Sequence, residues 1–255
     1  WTMGLAFDSN GHLYAMLSSD LYNPEPADDP KRLRGSVLRI SPDGTRIEKF
    51  CDGLKMPYGL AFNDAGDLFF TDNKGGSNPT EELNHAVEGG NYGENPHGSA
   101  ASPPRAPILE MNHAVSPCGI AFNPADNDFD GTAGELFIST WGADGQWHNG
   151  AIVRVRLEAD GAGSYTAHET LVANGPAKNV DLCFGPTGDL YIAQYGRDGR
   201  GHTPFAEPTG GVYRFIYVPQ WETAVSPIAA YRAARIGFGG ALIAIAGALQ
   251  WFAAR

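Results

Sequence analysis

Between Asp72 and Tyr92 the chain gathers side chains that bind hard cations: Asp72, Asn73, Glu81, Glu82, Asn84, Asn91 and Tyr92. Gly75 and Gly76 lie in the same stretch and leave backbone carbonyls uncovered. Calcium takes about six to eight oxygens from carboxylates and main-chain carbonyls, so this residue mixture suits it. Gly75, Gly76, Glu81, Glu82 and Tyr92 are the candidate ligands. The spacing is not that of an EF-hand, and a solvated turn accounts for the same residues.

Positive charge recurs at two related places. Lys55 and Lys178 each stand just before a repeated apolar strand, so both fall at the same end of their repeats. They read either as ordinary surface lysines or as a cationic pair. His113 directly precedes another copy of that strand, which makes it the candidate general base, since imidazole titrates near neutrality. A structural hydrogen bond is the competing use for it. His85 sits inside a short apolar run and is expected to point into a channel, whereas His12 belongs to an exposed turn. Trp141 and Trp147 follow a second strand, where loops shape a substrate mouth, and either ring could stack on a sugar. There is no Gly-rich phosphate loop and no GxSxG elbow.

The elements that must position these residues are hairpins. Met56–Asn73 reads MPYGLAFNDAGDLFFTDN, two apolar runs around turn residues. The pattern recurs at Met3–Leu17, at Ser116–Thr140 with a longer turn, and at Asn179–Ala193. Its Phe anchors, Phe7, Phe62, Phe122 and Phe184, are separated by 55, 60 and 62 residues. Repeated hairpins at this period predict blades of a β-propeller. Three closing strands, GSVLRI, GAIVRVRL and GGVYRFIY, carry Arg39, Arg154 and Arg214, expected to form salt bridges on the solvent face. Leu83–Val87 is read as an inner strand of the second blade.

The totals agree. The chain of 255 residues holds 33 Gly and 18 Pro, as many tight turns require. A net charge of −11 argues against a nucleic-acid partner, because phosphates call for a basic face. Cys51, Cys118 and Cys183 form no CxxC, which removes zinc-ribbon and c-type haem readings. Cys118 and Cys183 share a register and are expected to be small core residues, while a disulfide through Cys51 stays open. Residues 1–218 are assigned to the propeller and 219–235 to a linker. Ile236–Ala254 is uncharged over 19 residues, just enough for a helix to cross a hydrocarbon core of about 30 Å. It is expected to be a hydrophobic helix, either a membrane anchor or a docking helix. The chain opens at Trp1 inside a repeat and is read as a fragment or processed form.

GSVLRISPDG, GLKMPYGLAF and TEELNHAVEGGNYGENP together resemble the soluble PQQ-dependent sugar dehydrogenases and their sorbosone dehydrogenase relatives. The resemblance covers most of Trp1–Tyr217. It implies an all-β, six-bladed propeller of which this chain holds four blades. It also implies a calcium site near Glu81, Glu82 and Tyr92 beside a quinone pocket. On that reading Lys55 and Lys178 bind the carboxylates of PQQ, and the substrate is a sugar, a sorbosone-like aldehyde or a polyol. An electron acceptor and a location outside the cytoplasm, periplasmic or at the cell surface, are implied too. Some residues depart from the family. Lys55-Met56 stands where the dehydrogenases have Arg-Asn, Lys178 and Val180 where they have a second arginine pair, and Glu94 where a Trp follows NYG. The family's general-base His would stand just before the first hairpin. Lysine keeps the charge but not arginine's planar fork. Two alternatives therefore stay open: a membrane-tethered binding propeller, and a metal-dependent lactonase using Asn63, Asp72 and Asn123.

Overall fold

The computed structural model describes residues 2–19, 33–73, 80–94, 103–111, 115–142, 150–174, 178–195, 210–217 and the backbone of 231–236. These form four antiparallel sheets of four strands, each in simple sequence order. The first holds β1 (Thr2–Phe7), β2 (Leu13–Leu17), β3 (Ser36–Ile40) and β4 (Ile47–Asp52). The second holds β5 (Met56–Phe62), β6 (Leu68–Asn73), β7 (Glu81–Ala86) and β8 (Leu109–Met111). The third holds β9 (Pro117–Phe122), β10 (Leu136–Thr140), β11 (Ala151–Ala159) and β12 (Tyr165–Asn174). The fourth holds β13 (Asn179–Phe184), β14 (Leu190–Gln194), β15 (Gly211–Tyr217) and β16 (Tyr231–Ile236).

The repeated hairpins are β1–β2, β5–β6, β9–β10 and β13–β14. Their turns close as the residue types dictate. In blade 2 the Asn63 side chain accepts the Asp67 N–H at 2.8 Å, and Gly66 adopts φ +87° to complete the reversal. The first strand of each sheet lies against the first strand of the next, so β1, β5, β9 and β13 are the inner strands of propeller blades. Between them is a cavity of about 630 Å³ lined by Met3, Tyr58, Leu60, Ile120 and Asp181 among others. Glycine permits this close approach: a Cβ on Gly59 would lie 2.5 Å from the Cys118 carbonyl, and one on Gly119 would lie 2.0 Å from the Asp181 carboxylate.

Three apolar layers join the blades. Tyr14, Met16, Val37, Leu60 and Phe70 fill the space between the first and second sheets. Phe69, Leu83, Ile120, Ile138 and Val153 fill the next, and Phe137, Ile152, Leu182, Leu190 and Phe215 the last. Alternation along each strand sends successive side chains into different layers. Phe69 and Phe70, neighbours in sequence, thus belong to different cores.

Some expectations need correcting. Leu83–Val87 overlaps β7, which is the third strand from the axis and not an inner one. Cys118 is buried but Cys183 is exposed, because Leu182 takes the core side of β13 and Cys183 lines the cavity between the inner strands; all three cysteines are free thiols. Tyr231–Ile236, expected as linker and helix start, pairs antiparallel with β15 as the outer strand of blade 4. The rest of the 236–254 stretch lies outside the described residues. No helix among the described residues is long and apolar enough to cross a membrane. The three arginines do form ion pairs: Arg39 with Glu48 and Glu88, Arg154 with Glu135 at 3.0 Å, and Arg214 with Asp189.

Candidate active-site face

One end of the blades collects the residues that could do chemistry. Inner strands begin there and second strands finish there, so Lys55, Asp72, Trp141, Lys178 and Tyr195 all fall at this end. The opposite end carries the tight hairpin turns. Lys55 immediately precedes β5 and Lys178 immediately precedes β13, which is the equivalence expected from the repeats.

Asp72 is the pivot in blade 2. It is buried at the end of β6 and accepts the backbone N–H of Lys55 at 2.8 Å and that of Met56 at 2.7 Å. Burial pushes its carboxyl up to about 8; the two N–H bonds oppose that rise, and Glu82 adds to it. Opposite Asp72 on β7 stands Glu82, also buried, and its carboxyl is raised by burial while its hydrogen bond from Asn84 lowers it. Asn84 Nδ2 donates to Glu82 Oε2 at 3.0 Å. The other end of that amide, Oδ1, is buried with no hydrogen-bond partner among the described residues. Buried oxygens are nearly always satisfied, so this one is a candidate acceptor or cation ligand.

The strand pleat divides the expected ligand pair. Glu82 and Asn84 face the first blade together with Asp72, whereas Glu81 and Leu83 face the third. Tyr92 offers no phenol to a cation. Its ring meets Phe70 edge-on at 4.9 Å inside the first core, its hydroxyl donates to the His85 carbonyl at 2.5 Å, and it accepts the Val87 N–H at 3.0 Å. Gly75, Gly76 and His113 lie outside the described residues. Among the described residues no three His, Cys, Asp or Glu side chains cluster as a metal site.

At blades 3 and 4 the structure joins residues that the sequence offers separately. Lys178 sits at φ +61°, a left-handed conformation that costs a non-glycine residue about 1–2 kcal/mol. Its ammonium lies 5.4 Å from the centroid of the Trp141 ring and donates to the Gly142 carbonyl at 3.3 Å. Trp141 also packs against Tyr195, with centroids 5.3 Å apart and planes tilted by 57°. Tyr195 was not a sequence candidate. The signal was its position, first after a second strand, as Trp141 is in blade 3.

His85 does not reach the channel. It is stacked on Phe69 at 5.3 Å, meets Tyr165 edge-on at 5.2 Å, and its Nδ1 lies 3.3 Å from Ser164 Oγ. The side chain therefore fills the seam between blades 2 and 3. His12 pairs with Asp8 at 3.0 Å in its turn. Asn63 and Asn123 likewise serve their turns: Asn123 Nδ2 donates to Thr132 Oγ1 at 3.1 Å. Both stand at the opposite end of the blades from Asp72, so these three cannot surround one cation.

Residues 2–203 match the glucose/sorbosone dehydrogenase family, and the chain belongs to it. The fold is similar to an oxidoreductase from Thermus thermophilus described as a glucose dehydrogenase, at 26% identity and TM-score 0.62, covering 82% of this chain and 63% of that one. The apo form of the soluble aldose sugar dehydrogenase of Escherichia coli shares the fold at 20% identity and TM-score 0.60, over 82% of this chain and 61% of that one. So does the PQQ-bound aldose sugar dehydrogenase of Streptomyces coelicolor, at 20% identity and TM-score 0.59, over 83% and 61%. The chain thus spans less than two thirds of these structures. No curated protein matches it.

Proposed function

We propose that this propeller oxidises a sugar or related polyol with PQQ as the bound oxidant and calcium beside it. The observation behind this reading is the common end of the blades, which carries two lysines, a buried carboxylate pair and an aromatic pair in a chain of the sugar dehydrogenase family. PQQ carries three carboxylates, and when bound it accepts the two electrons of a carbinol as a hydride. The residues suit such a ligand. Among the described residues Lys178 Nζ donates to the Gly142 carbonyl, and an ammonium has three N–H donors. Lys55 is fixed through its backbone by Asp72, which directs the residue from a rigid strand end. For calcium, Glu82 and the Asn84 Oδ1, which has no hydrogen-bond partner among the described residues, supply hard oxygen donors on one face of β7.

In this reading Lys55 and Lys178 hold the carboxylates and offset their charge. His113 takes the substrate's hydroxyl proton at an imidazole nitrogen. Glu82 and Asn84 hold calcium, together with backbone oxygens of the 72–92 stretch. A location outside the cytoplasm and attachment through residues 236–254 belong to the same proposal; membrane fractionation of the expressed protein tests both.

The decisive experiment is titration of the full-length protein with PQQ, with and without calcium, followed by visible absorbance and dye-linked oxidation of an aldose panel. Calcium-dependent quinone binding with reduction by a sugar is the expected result. No quinone binding at high micromolar concentration would remove this reading and leave a non-catalytic recognition propeller.

A further inference from the structure

We infer that Tyr195, Trp141 and Lys178 form a docking platform for a saccharide ring at the seam of blades 3 and 4. The choice of ligand rests on the sugar-oxidising reading above; the platform rests on geometry. Trp141 directly follows the second strand of blade 3 and Tyr195 that of blade 4, so each ring is carried beside a strand end and not by the middle of a long loop. Their backbones are pinned: Trp141 N–H donates to the Ser116 carbonyl at 2.9 Å and Tyr195 N–H to the Lys178 carbonyl at 3.0 Å. The two rings meet at 57° and form an open angle, with the Lys178 ammonium at the indole face.

Tyr195 is 50% exposed, although its ring packs against the Trp141 indole. An exposed aromatic next to a second aromatic and a fixed cation is the composition of a ligand site and not of a core. The chemistry selects a polyhydroxylated ring. A pyranose has a flat C–H face, which an aromatic ring covers without stranding a polar group, and a rim of hydroxyls. Lys178 donates to that rim, and the phenol can both donate and accept. The hydrogen bond to Gly142 and the indole face hold the Lys178 ammonium before any ligand arrives, which lowers the ordering cost of binding.

The test uses the full-length protein and the variants Tyr195→Ala and Tyr195→Phe. Sugar binding is read from tryptophan fluorescence in the quinone-free protein, quinone affinity from PQQ absorbance, and KM and kcat from dye-linked turnover. Tyr195→Ala is expected to weaken sugar binding and raise KM by about tenfold, with kcat and quinone affinity nearly unchanged. Tyr195→Phe keeps the ring but loses the hydroxyl, and its affinity is expected to fall between Tyr195→Ala and wild type. The inference is overturned if Tyr195→Ala binds sugar as wild type does, if its loss falls on quinone affinity instead, or if no aldose binds the wild-type protein. Sugar binding that depends on Tyr195 in a protein that takes no quinone would uphold the platform and reject the dehydrogenase reading. Quinone-linked turnover indifferent to Tyr195 would do the reverse.

Discussion

Tyr165→Phe should loosen the seam between blades 2 and 3 by a measurable and calculable amount. Tyr165 opens β12, at the tip of the long β11–β12 hairpin, and its ring reaches across to Phe69 at 5.2 Å and to His85. Its hydroxyl donates to the Asp67 carboxylate, and Asn63 Nδ2 lies 3.4 Å away. Phenylalanine keeps the ring contacts and deletes only the hydroxyl. A hydrogen bond to a charged acceptor contributes about 1.5–3 kcal/mol. Asp67 is 38% exposed, so water can take up the lost bond, and the lower part of that range, about 1.5 kcal/mol, is expected. For a domain of this size that is about 3–6 °C in Tm. Tyr165→Ala also forfeits the ring packing and should cost about 3–5 kcal/mol. Urea unfolding of both variants gives the totals. A double-mutant cycle with Asp67→Ala isolates the pair, with a coupling of about 1 kcal/mol expected. A coupling below about 0.3 kcal/mol would refute the claim that this hydroxyl joins the blades.

The same seam sets a pH dependence. Burial lowers the pKa of His85, as does Arg105, while Asp67 and Asp160 oppose the change. The unfolded imidazole binds its proton near pH 6.5, so stability from this site is full above that value and falls as pH drops through the lower native pKa; His85→Gln should flatten the acid limb of a pH series of urea midpoints. Gly119→Ala should prevent or cripple folding, because its Cβ would lie 2.7 Å from the Asp181 Cα as well as 2.0 Å from its carboxylate, so Asp181→Ala should not restore the melting temperature. Asp72→Ala should cost about 1–3 kcal/mol in urea unfolding by leaving the partly buried Lys55 and Met56 N–H groups without their acceptor.

The hairpins were legible because two local signals coincide in them. Turn residues such as Asn63-Asp64-Ala65-Gly66 break the chain, and the flanking runs are apolar enough to be strands. Outer strands lack that contrast. β12, YTAHETLVAN, mixes exposed polar and apolar positions, and β16 is mostly alanine and arginine; both owe their strand conformation to pairing with β11 and β15. The same limit applies to the site. That Lys55 and Lys178 are equivalent follows from the repeat. That Glu81 and Glu82 face different blades follows only once β7 is known to be a strand over both. The contact between Lys178 and Trp141 joins two blades, and no local pattern encodes it.

The register of the blades explains why blade 2 has a histidine where the others have arginine. Arg39, Arg154 and Arg214 each stand on a third strand opposite an aromatic residue of the second: Tyr14, Phe137 and Tyr191. In blade 2 that place is taken by His85, opposite Phe69. The residue just before the second strand supplies the acid: Glu135 for Arg154, Asp189 for Arg214, and Asp67 for His85, whose Nε2 lies 3.9 Å away. Blade 1 has His12 there, which turns to Asp8, so Arg39 goes outward to Glu48 and across to Glu88 of blade 2. The arginines thus answer a charge within or beside their own blade at a partly exposed edge. At blade 2 the edge is roofed by Ser164 and Tyr165 from blade 3, and a guanidinium there would keep its charge under that cover. An imidazole can shed its proton and stack flat on Phe69 with the edge of Tyr165 against it. The His85 position is therefore the one repeat edge, among the described residues, where the ion pair has become a neutral, packed contact between blades, and the acid-side loss of stability measures how far that exchange has gone.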